Sequence, residues 1–162
     1  RISVKEKSST VAEAFQLLTP IREQKFVSDH YSVQGFVDAI HHLDDEVHII
    51  DYKTNASLEL KDEQKLQLAI YSLLYFEKYG KTPAKVGIFF LRHKLKMMNV
   101  DNELLELAKR EISLVHAHTS ACEHIDDYPQ HVGPLCKWSS GQCDFFEVCK
   151  PFEGRNNQNS KL

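Results

Sequence analysis

The sequence predicts an α/β fold, a mixed β-sheet flanked by helices. Three observations carry this reading. Three β-rich runs follow one another between Lys25 and Lys53 with turn residues between them, an amphipathic helical pattern occupies Leu58 to Tyr79, and two further apolar runs precede a second long helical stretch. At 162 residues the chain has the length of one ordinary domain. The core is expected to span Arg1 to Phe152. The tail from Glu153 to Leu162, rich in Asn, Gly, Gln and Ser, reads as disordered.

The opening helix is signalled by Ser9-Thr10 before Val11-Ala12-Glu13, a hydroxyl cap with a carboxylate three residues after Thr10, and it stops near Pro20. Lys25 to Val33, with its aromatic and β-branched residues, reads as the first strand. Gly35 interrupts, and Phe36 to Ile40 resumes an apolar run whose one charge is Asp38. The polar stretch Leu43 to Glu46 is a turn, and Val47 to Lys53 is the third strand, so three strands form an antiparallel meander. Leu66, Ala69, Ile70, Leu73 and Leu74 give Leu58 to Tyr79 one buried helical face, and Gly80 stops it. Ala84 to Leu91 is nearly all apolar, as a strand covered on both faces would be. Leu95 to Val100 pairs with it, and Asn102 to His118 is a helix capped by Asp101 or Asn102.

The bulk properties narrow the function classes. Hydrophobic residues make up 42% and charged residues 27%, and no stretch approaches the roughly 18 uninterrupted apolar residues of a membrane span. No membrane anchor is expected. Arg1 to Ser9 lacks the apolar segment of a secretory signal, so an intracellular setting is expected. A net charge of -3 excludes a global basic field, and any nucleic-acid contact must be local. Lys81, Lys85, Arg92, Lys94 and Lys96 could supply a basic rim or could be an ordinary solvated face. The chain opens on Arg1 rather than Met, as a trimmed or partial chain does.

The chemistry concentrates in Gly35 to Ile40 and Ile49 to Thr54, which place Asp38, Asp51 and Lys53 on successive strands. Strand side chains alternate, so Asp51 and Lys53 share a face, and pairing through the Leu43 to Glu46 turn brings Asp38 near Asp51. Two carboxylates beside apolar residues repel each other and resist ionisation, a cost that a divalent cation removes. Hard oxygen ligands suit Mg²⁺ or Mn²⁺, and Lys53 would orient a water or stabilise charge developing on a phosphate. The plain alternative is a surface Asp-x-Lys ion pair. The apolar Ile49-Ile50 ahead of Asp51 argues for a buried strand instead.

Gly35-x-x-Asp38, then Ile49-Ile50-Asp51-Tyr52-Lys53-Thr54, then Gln67-x-x-x-Tyr71 on the next helix resembles the RecB-like branch of the PD-(D/E)xK nucleases. That branch includes CRISPR-adaptation exonucleases and the helicase-nuclease subunits of recombinational repair. The resemblance runs from about Glu23 to Phe152 and implies a restriction-endonuclease-like core. By it, Asp38 and Asp51 are metal ligands, Lys53 is the catalytic lysine, and Gln67 with Tyr71 is a supporting pair near the DNA. Without the resemblance, Gln67 is a solvent-facing residue and Tyr71 a core residue. The implied activity is a Mg²⁺- or Mn²⁺-dependent deoxyribonuclease, an exonuclease on DNA ends or single strands, with a helicase or other nuclease-complex subunit as partner. A non-catalytic DNA-binding or scaffold module and a restriction-type endonuclease are the rivals. Family members usually add a His or Glu ligand from further upstream. Glu13 and Glu23 are the carboxylates considered before Asp38, and neither is assigned as a ligand, so the missing one is expected on an absent N-terminal part.

Three of the four cysteines crowd the C-terminal end, at Cys136, Cys143 and Cys149. Many members of the branch hold a [4Fe-4S] cluster with an upstream cysteine and a Cys-x-x-Cys-x₅-Cys run. Cys143 to Cys149 fits the last spacing, but Ser140 stands where the run needs cysteine and no cysteine precedes Cys122. A Zn²⁺ site using Cys122, His124 or His131, and ordinary free thiols, stay open beside the cluster. His41, His42, His116 and His118 are given no role.

Overall fold

The computed structural model describes residues 10–54, 59–128 and 130–150. Helix α1 spans Val11–Leu18, strands β1, β2 and β3 span Ile21–Ser28, Val33–Leu43 and Glu46–Lys53, and helix α2 spans Asp62–Tyr79. Strands β4 (Lys85–Phe90) and β5 (Leu95–Asn99) and helix α3 (Asn102–Ser120) follow. The short elements after these are a 3₁₀ turn at Ile125–Asp127, strands β6 (Lys137–Trp138) and β7 (Gly141–Gln142), and helix α4 (Phe146–Cys149). The expected α/β fold is present, with one five-stranded mixed sheet in the order β1-β2-β3-β4-β5. Every pairing is antiparallel except β3 with β4, which α2 joins by a crossover. No described helix is long and apolar enough to cross a membrane.

Local chemistry sets the boundaries. At α1 the Thr10 hydroxyl accepts from the Glu13 N–H at 3.2 Å, and the Glu13 carboxylate accepts from the Thr10 N–H at 3.1 Å, the reciprocal cap its spacing predicts. Helix α2 ends at Gly80, whose φ of 65° is the left-handed conformation that favours glycine. The Asp101 carboxylate caps α3 by accepting from the Leu104 N–H at 2.8 Å. Gly87 sits where a side chain is excluded, since a Cβ there would run into the Lys96 carbonyl and the Met97 sulfur.

The first strand departs from the sequence reading. It runs Ile21–Ser28 rather than Lys25 to Val33, and residues 29 to 32 form a turn. The reason is side-chain chemistry. The Ser28 hydroxyl accepts from the Tyr31 N–H at 3.0 Å and Ser32 takes a φ of 48°, which overrides the β-propensity of Tyr31 and its neighbours. Gly35 does not interrupt β2 but lies within it, its Cα side facing Tyr71 and Leu74 of α2. Residues 59 to 61 precede the helix, which begins at Asp62, and Leu58 and the expected tail from Glu153 lie outside the described residues.

The chain divides into two compact units, Arg1–His116 and Ala117–Leu162. The first holds the core, where Phe26, Val37, Ile40, Ile49, Val86, Ile88 and Phe90 of the sheet meet Leu68, Leu73, Leu74 and Tyr75 of α2 and Leu104, Ala108 and Ile112 of α3. Each fully buried aliphatic side chain of this kind stabilises the fold by roughly 1.5–3 kcal/mol. Helix α2 is therefore fixed rigidly against β3. In the second unit no described residue is fully buried, and all four cysteines are half-buried.

Candidate active site

The candidate residues of the first unit meet at the C-terminal end of β3. Asp51 is 2% exposed, and the Lys53 ammonium lies 3.2 Å from its Oδ1 and 2.9 Å from its Oδ2. The Oδ2 contact is a close ion pair whose angle does not make a hydrogen bond, so that buried oxygen has charge beside it but no donor aimed at it. Lys53 Nζ also donates to Gln67 Oε1 at 3.2 Å, and Gln67 Nε2 donates to the Tyr71 hydroxyl at 2.8 Å. A chain of polar contacts thus runs Asp51, Lys53, Gln67, Tyr71. The spacing of four between Gln67 and Tyr71 makes the last link possible on one helix face.

Asp38 joins from the neighbouring strand. Its Oδ2 accepts from the Tyr52 backbone N–H at 2.9 Å, which fixes the carboxylate against β3 and leaves its other oxygen for a further partner. The β1–β2 ladder pairs Arg22 with Ala39 and Gln24 with Val37 but skips Glu23 and Asp38 between them. Glu23 has a φ of 52°, a left-handed backbone in mid-strand that costs a non-glycine residue about 1 kcal/mol or more. Thr19, Pro20, Arg22, Glu23, Asp38 and Tyr52 line an open cleft at this point.

The electrostatics of the site are those of under-neutralised acid. Burial pushes the Asp51 carboxyl above its ordinary range, the Lys53 hydrogen bond and charge oppose the rise, and the Asp38 carboxylate adds to it. Burial likewise raises the Tyr71 hydroxyl, Gln67 opposes, and Asp51, Asp38 and Glu23 all add to the rise. Three carboxylates therefore act on this region. The donor set, hard carboxylate oxygens with an undirected buried Oδ2 among them, fits a hard divalent cation held by Asp38 and Asp51. Among the described residues no group of three or more His, Cys, Asp or Glu side chains is arranged to hold a metal, so these two carboxylates would be its side-chain ligands.

The cysteines lie in the second unit. The β6–β7 hairpin brings Cys136 and Cys143 together through the backbone, with the Cys143 N–H donating to the Cys136 carbonyl at 3.1 Å. Cys149 Sγ instead takes a bond from Gln130, and Cys122 Sγ donates to the His118 carbonyl at 3.2 Å. None of the four is in a disulfide, and among the described residues no group of three or more His, Cys, Asp or Glu side chains stands together. The basic residues separate as well. Lys81 Nζ donates to the Asp45 carbonyl beside the β2–β3 turn, and Lys85 pairs with His48, whereas Arg92 and Lys94 sit at the far end of β4. Sequence reasoning missed Arg22 and Tyr52 as cleft residues. Tyr52 lay inside the motif, but strand alternation alone gives no reason to single out the residue between Asp51 and Lys53.

An α/β sheet whose strand ends offer two carboxylates and a paired ammonium is the arrangement that metal-assisted phosphoester hydrolysis calls for. The chain belongs to the PD-(D/E)XK nuclease superfamily, whose family model matches residues 3–150. Among solved structures, a crystal structure named "Putative exonuclease" from Eubacterium rectale aligns with a TM-score of 0.45 at 10% identity, covering 91% of this chain and 62% of that one. The chain thus spans less than two thirds of that protein's length. No curated protein matches.

Proposed function

We propose that this chain carries the catalytic core of a divalent-metal-dependent deoxyribonuclease of the RecB-like type, an exonuclease acting on DNA ends or single strands inside a cell beside a helicase or another subunit. The observation that carries it is the buried Asp51 paired to Lys53, with Lys53 steadied in turn by Gln67. Mg²⁺ or Mn²⁺ on Asp38 and Asp51 would supply Lewis acidity and neutralise charge at the scissile phosphate. The chain's own contribution follows from donors and acceptors. A lysine ammonium has three N–H donors, and Asp51 and Gln67 occupy two of them, so the third is available to a water or a non-bridging phosphate oxygen. The Gln67–Tyr71 hydrogen bond holds the amide so that its oxygen faces Lys53. The Tyr52 N–H holds Asp38 in the same way.

A second reading, a DNA-binding module that retained the fold, is favoured by the absence of a third metal-ligating side chain among the described residues. A cleavage assay on linear and circular DNA with Mn²⁺, comparing wild type with Lys53→Ala, separates the two. Degradation of linear DNA only, lost in the variant, supports the exonuclease. Equal activity in both proteins refutes it, and cleavage of circles makes the enzyme an endonuclease. A [4Fe-4S] staple in the second unit would need its thiols to regroup. Visible thiolate-to-iron absorbance in anaerobically purified protein tests it.

A further inference from the structure

The second unit holds two thiols that the candidate active site does not use. Its hairpin pairs Lys137 with Gln142 and Trp138 with Gly141, so the next rung toward the open end sets Cys136 opposite Cys143. The Cys143 N–H closes that rung by donating to the Cys136 carbonyl at 3.1 Å. Residues that share a hydrogen-bonded rung have Cα atoms about 5.5 Å apart, inside the roughly 4.4–6.8 Å that a disulfide spans. Their side chains leave the same face of the hairpin. Residues two apart along a strand also share a face, so Trp138 and Gly141 stand on the side of the two thiols. A Cβ at Gly141 would lie 2.9 Å from the Trp138 ring, so the indole lies across the glycine, one rung from the thiols.

The other two thiols are engaged elsewhere. Cys149 Sγ takes the Gln130 amide at 3.0 Å, and Cys122 Sγ faces the His118 and Asp127 carbonyls at 3.2 and 3.6 Å. Cys136 Sγ meets only the Gly133 N–H at 3.4 Å and the His131 carbonyl at 3.8 Å, weak sulfur hydrogen bonds that a covalent partner can replace. Cys136 and Cys143 are both half-buried, so a small reagent reaches them. No described residue of this unit is fully buried, and a two-stranded hairpin by itself is marginal in water. A bond across its open end supplies the constraint that burial does not.

We propose that Cys136 and Cys143 form a dithiol–disulfide couple that locks the β6–β7 hairpin on reaction with a low-molecular-weight disulfide such as oxidised glutathione, and releases it on reduction. The exchange balances in two steps. The thiolate of one cysteine attacks a sulfur of the small disulfide, forming a mixed disulfide and releasing one small thiol. The second thiolate attacks the protein sulfur of that mixed disulfide, forming the Cys136–Cys143 bond and releasing a second small thiol. The two protons given up by the protein go to the two released thiolates, and the two electrons it loses reduce the small disulfide. Because the rung already holds the partners at bonding span, the second step is intramolecular and outruns capture of another small disulfide. The couple sets the local order of the second unit, adds no step at the carboxylates and stands independently of the nuclease reading.

The test equilibrates the full chain, in EDTA, with glutathione buffers of rising oxidised-to-reduced ratio, then traps remaining thiols by alkylation. Peptide mass spectrometry is expected to find one product two hydrogens lighter, with Cys136 bonded to Cys143 and with Cys122 and Cys149 alkylated. Trp138 is the chain's one tryptophan, and a disulfide beside an indole quenches it, so emission should fall with the same midpoint as the mass change. Amide hydrogen exchange over residues 137–142 should slow by roughly fiftyfold in the oxidised form, the loop-closure effect of a ring of this size. Cys136→Ser and Cys143→Ser should each arrest at the mixed disulfide on the remaining thiol, with no slowing of exchange. Cys149→Ala should leave the couple intact. Phenylarsine oxide, which bridges two thiols within reach of each other, should protect the same pair from alkylation in the reduced protein. Wild-type protein that ends with glutathione on both cysteines, a bond from either to Cys122 or Cys149, or exchange over residues 137–142 that is equal in the two redox forms would each overturn the proposal.

Discussion

Removing the charge of Lys53 while keeping its length, by Lys53→Met, leaves Asp51 buried without its cation. At the observed 2.9 Å, two unit charges in an effective dielectric of about 20 attract by about 6 kcal/mol. Most of that offsets the several kcal/mol needed to take a carboxylate out of water, and the Lys53 side chain keeps 30% of its surface exposed. The net loss of stability in the metal-free protein is therefore expected near 3 kcal/mol, at the lower end of the range for breaking a buried pair. Asp51→Asn should cost less, about 1 kcal/mol, because burial already disfavours the carboxylate it removes. The double variant, in which neither charge remains, should be about 2 kcal/mol more stable than the sum of the two losses implies. Urea unfolding of all four proteins in EDTA measures this coupling, with equal m-values showing that the unfolded states are comparable. Single variants that add to within about 0.5 kcal/mol would refute the claim that the two groups are mutually dependent. The same series in Mn²⁺ extends the argument. If a cation sits on Asp51, metal should restore more stability to Lys53→Met than to wild type and none through Asp51 in Asp51→Asn.

Three further outcomes follow from the same geometry. Gln67→Ala removes a partner from Lys53 and leaves the buried Tyr71 hydroxyl without its donor, so stability should fall by about 1–3 kcal/mol and activity on the order of a hundredfold, read by urea unfolding and DNA degradation. His41, whose pKa is lowered first by burial and then by His48 across the strand, is neutral in the folded protein and protonates more readily once unfolded. Stability should be full above pH 6.5 and decline as pH falls through and below it, a slope that His41→Asn flattens in thermal melts taken across that window. Gly87→Ala drives a methyl into the Lys96 carbonyl and should destabilise by about 1–3 kcal/mol with catalysis per folded molecule retained; a melting temperature equal to wild type would show that β4 and β5 separate easily.

The legible parts of this fold were those written in short-range chemistry. The Thr10 and Glu13 cap, the Gly80 stop and the Asp101 cap all follow from residues within a few positions of one another. The first strand was misread because Tyr31 and Val33 have β-propensity while Ser28 and Ser32 have turn chemistry, and the turn won by satisfying a backbone N–H that a strand edge would have left to water. Within the site, the Asp51–Lys53 face was open to inference from the two-residue period. The reach of Lys53 to Gln67 was not, because it depends on how α2 settles on β3, which Leu68, Leu73 and Leu74 decide by burial.

The same distinction bears on the cysteines and the lysines. Spacing along the chain fixes proximity only where a regular element converts number into distance, as a helix does for Gln67 and Tyr71 or a ladder does for Tyr52 and Phe89. Cys136, Cys143 and Cys149 lie in a unit whose strands are two residues long and whose final helix buries nothing, so no element holds all three to one geometry. Lys85 and Lys94 are likewise near in number, but an extended strand separates them by most of its length, roughly 20 Å for six residues. A charge cluster read across a strand is two sites rather than one. The end that carries Arg92 and Lys94 is the end where β3 delivers Lys53, and that coincidence places this part of the basic stretch near the carboxylates' end of the strand.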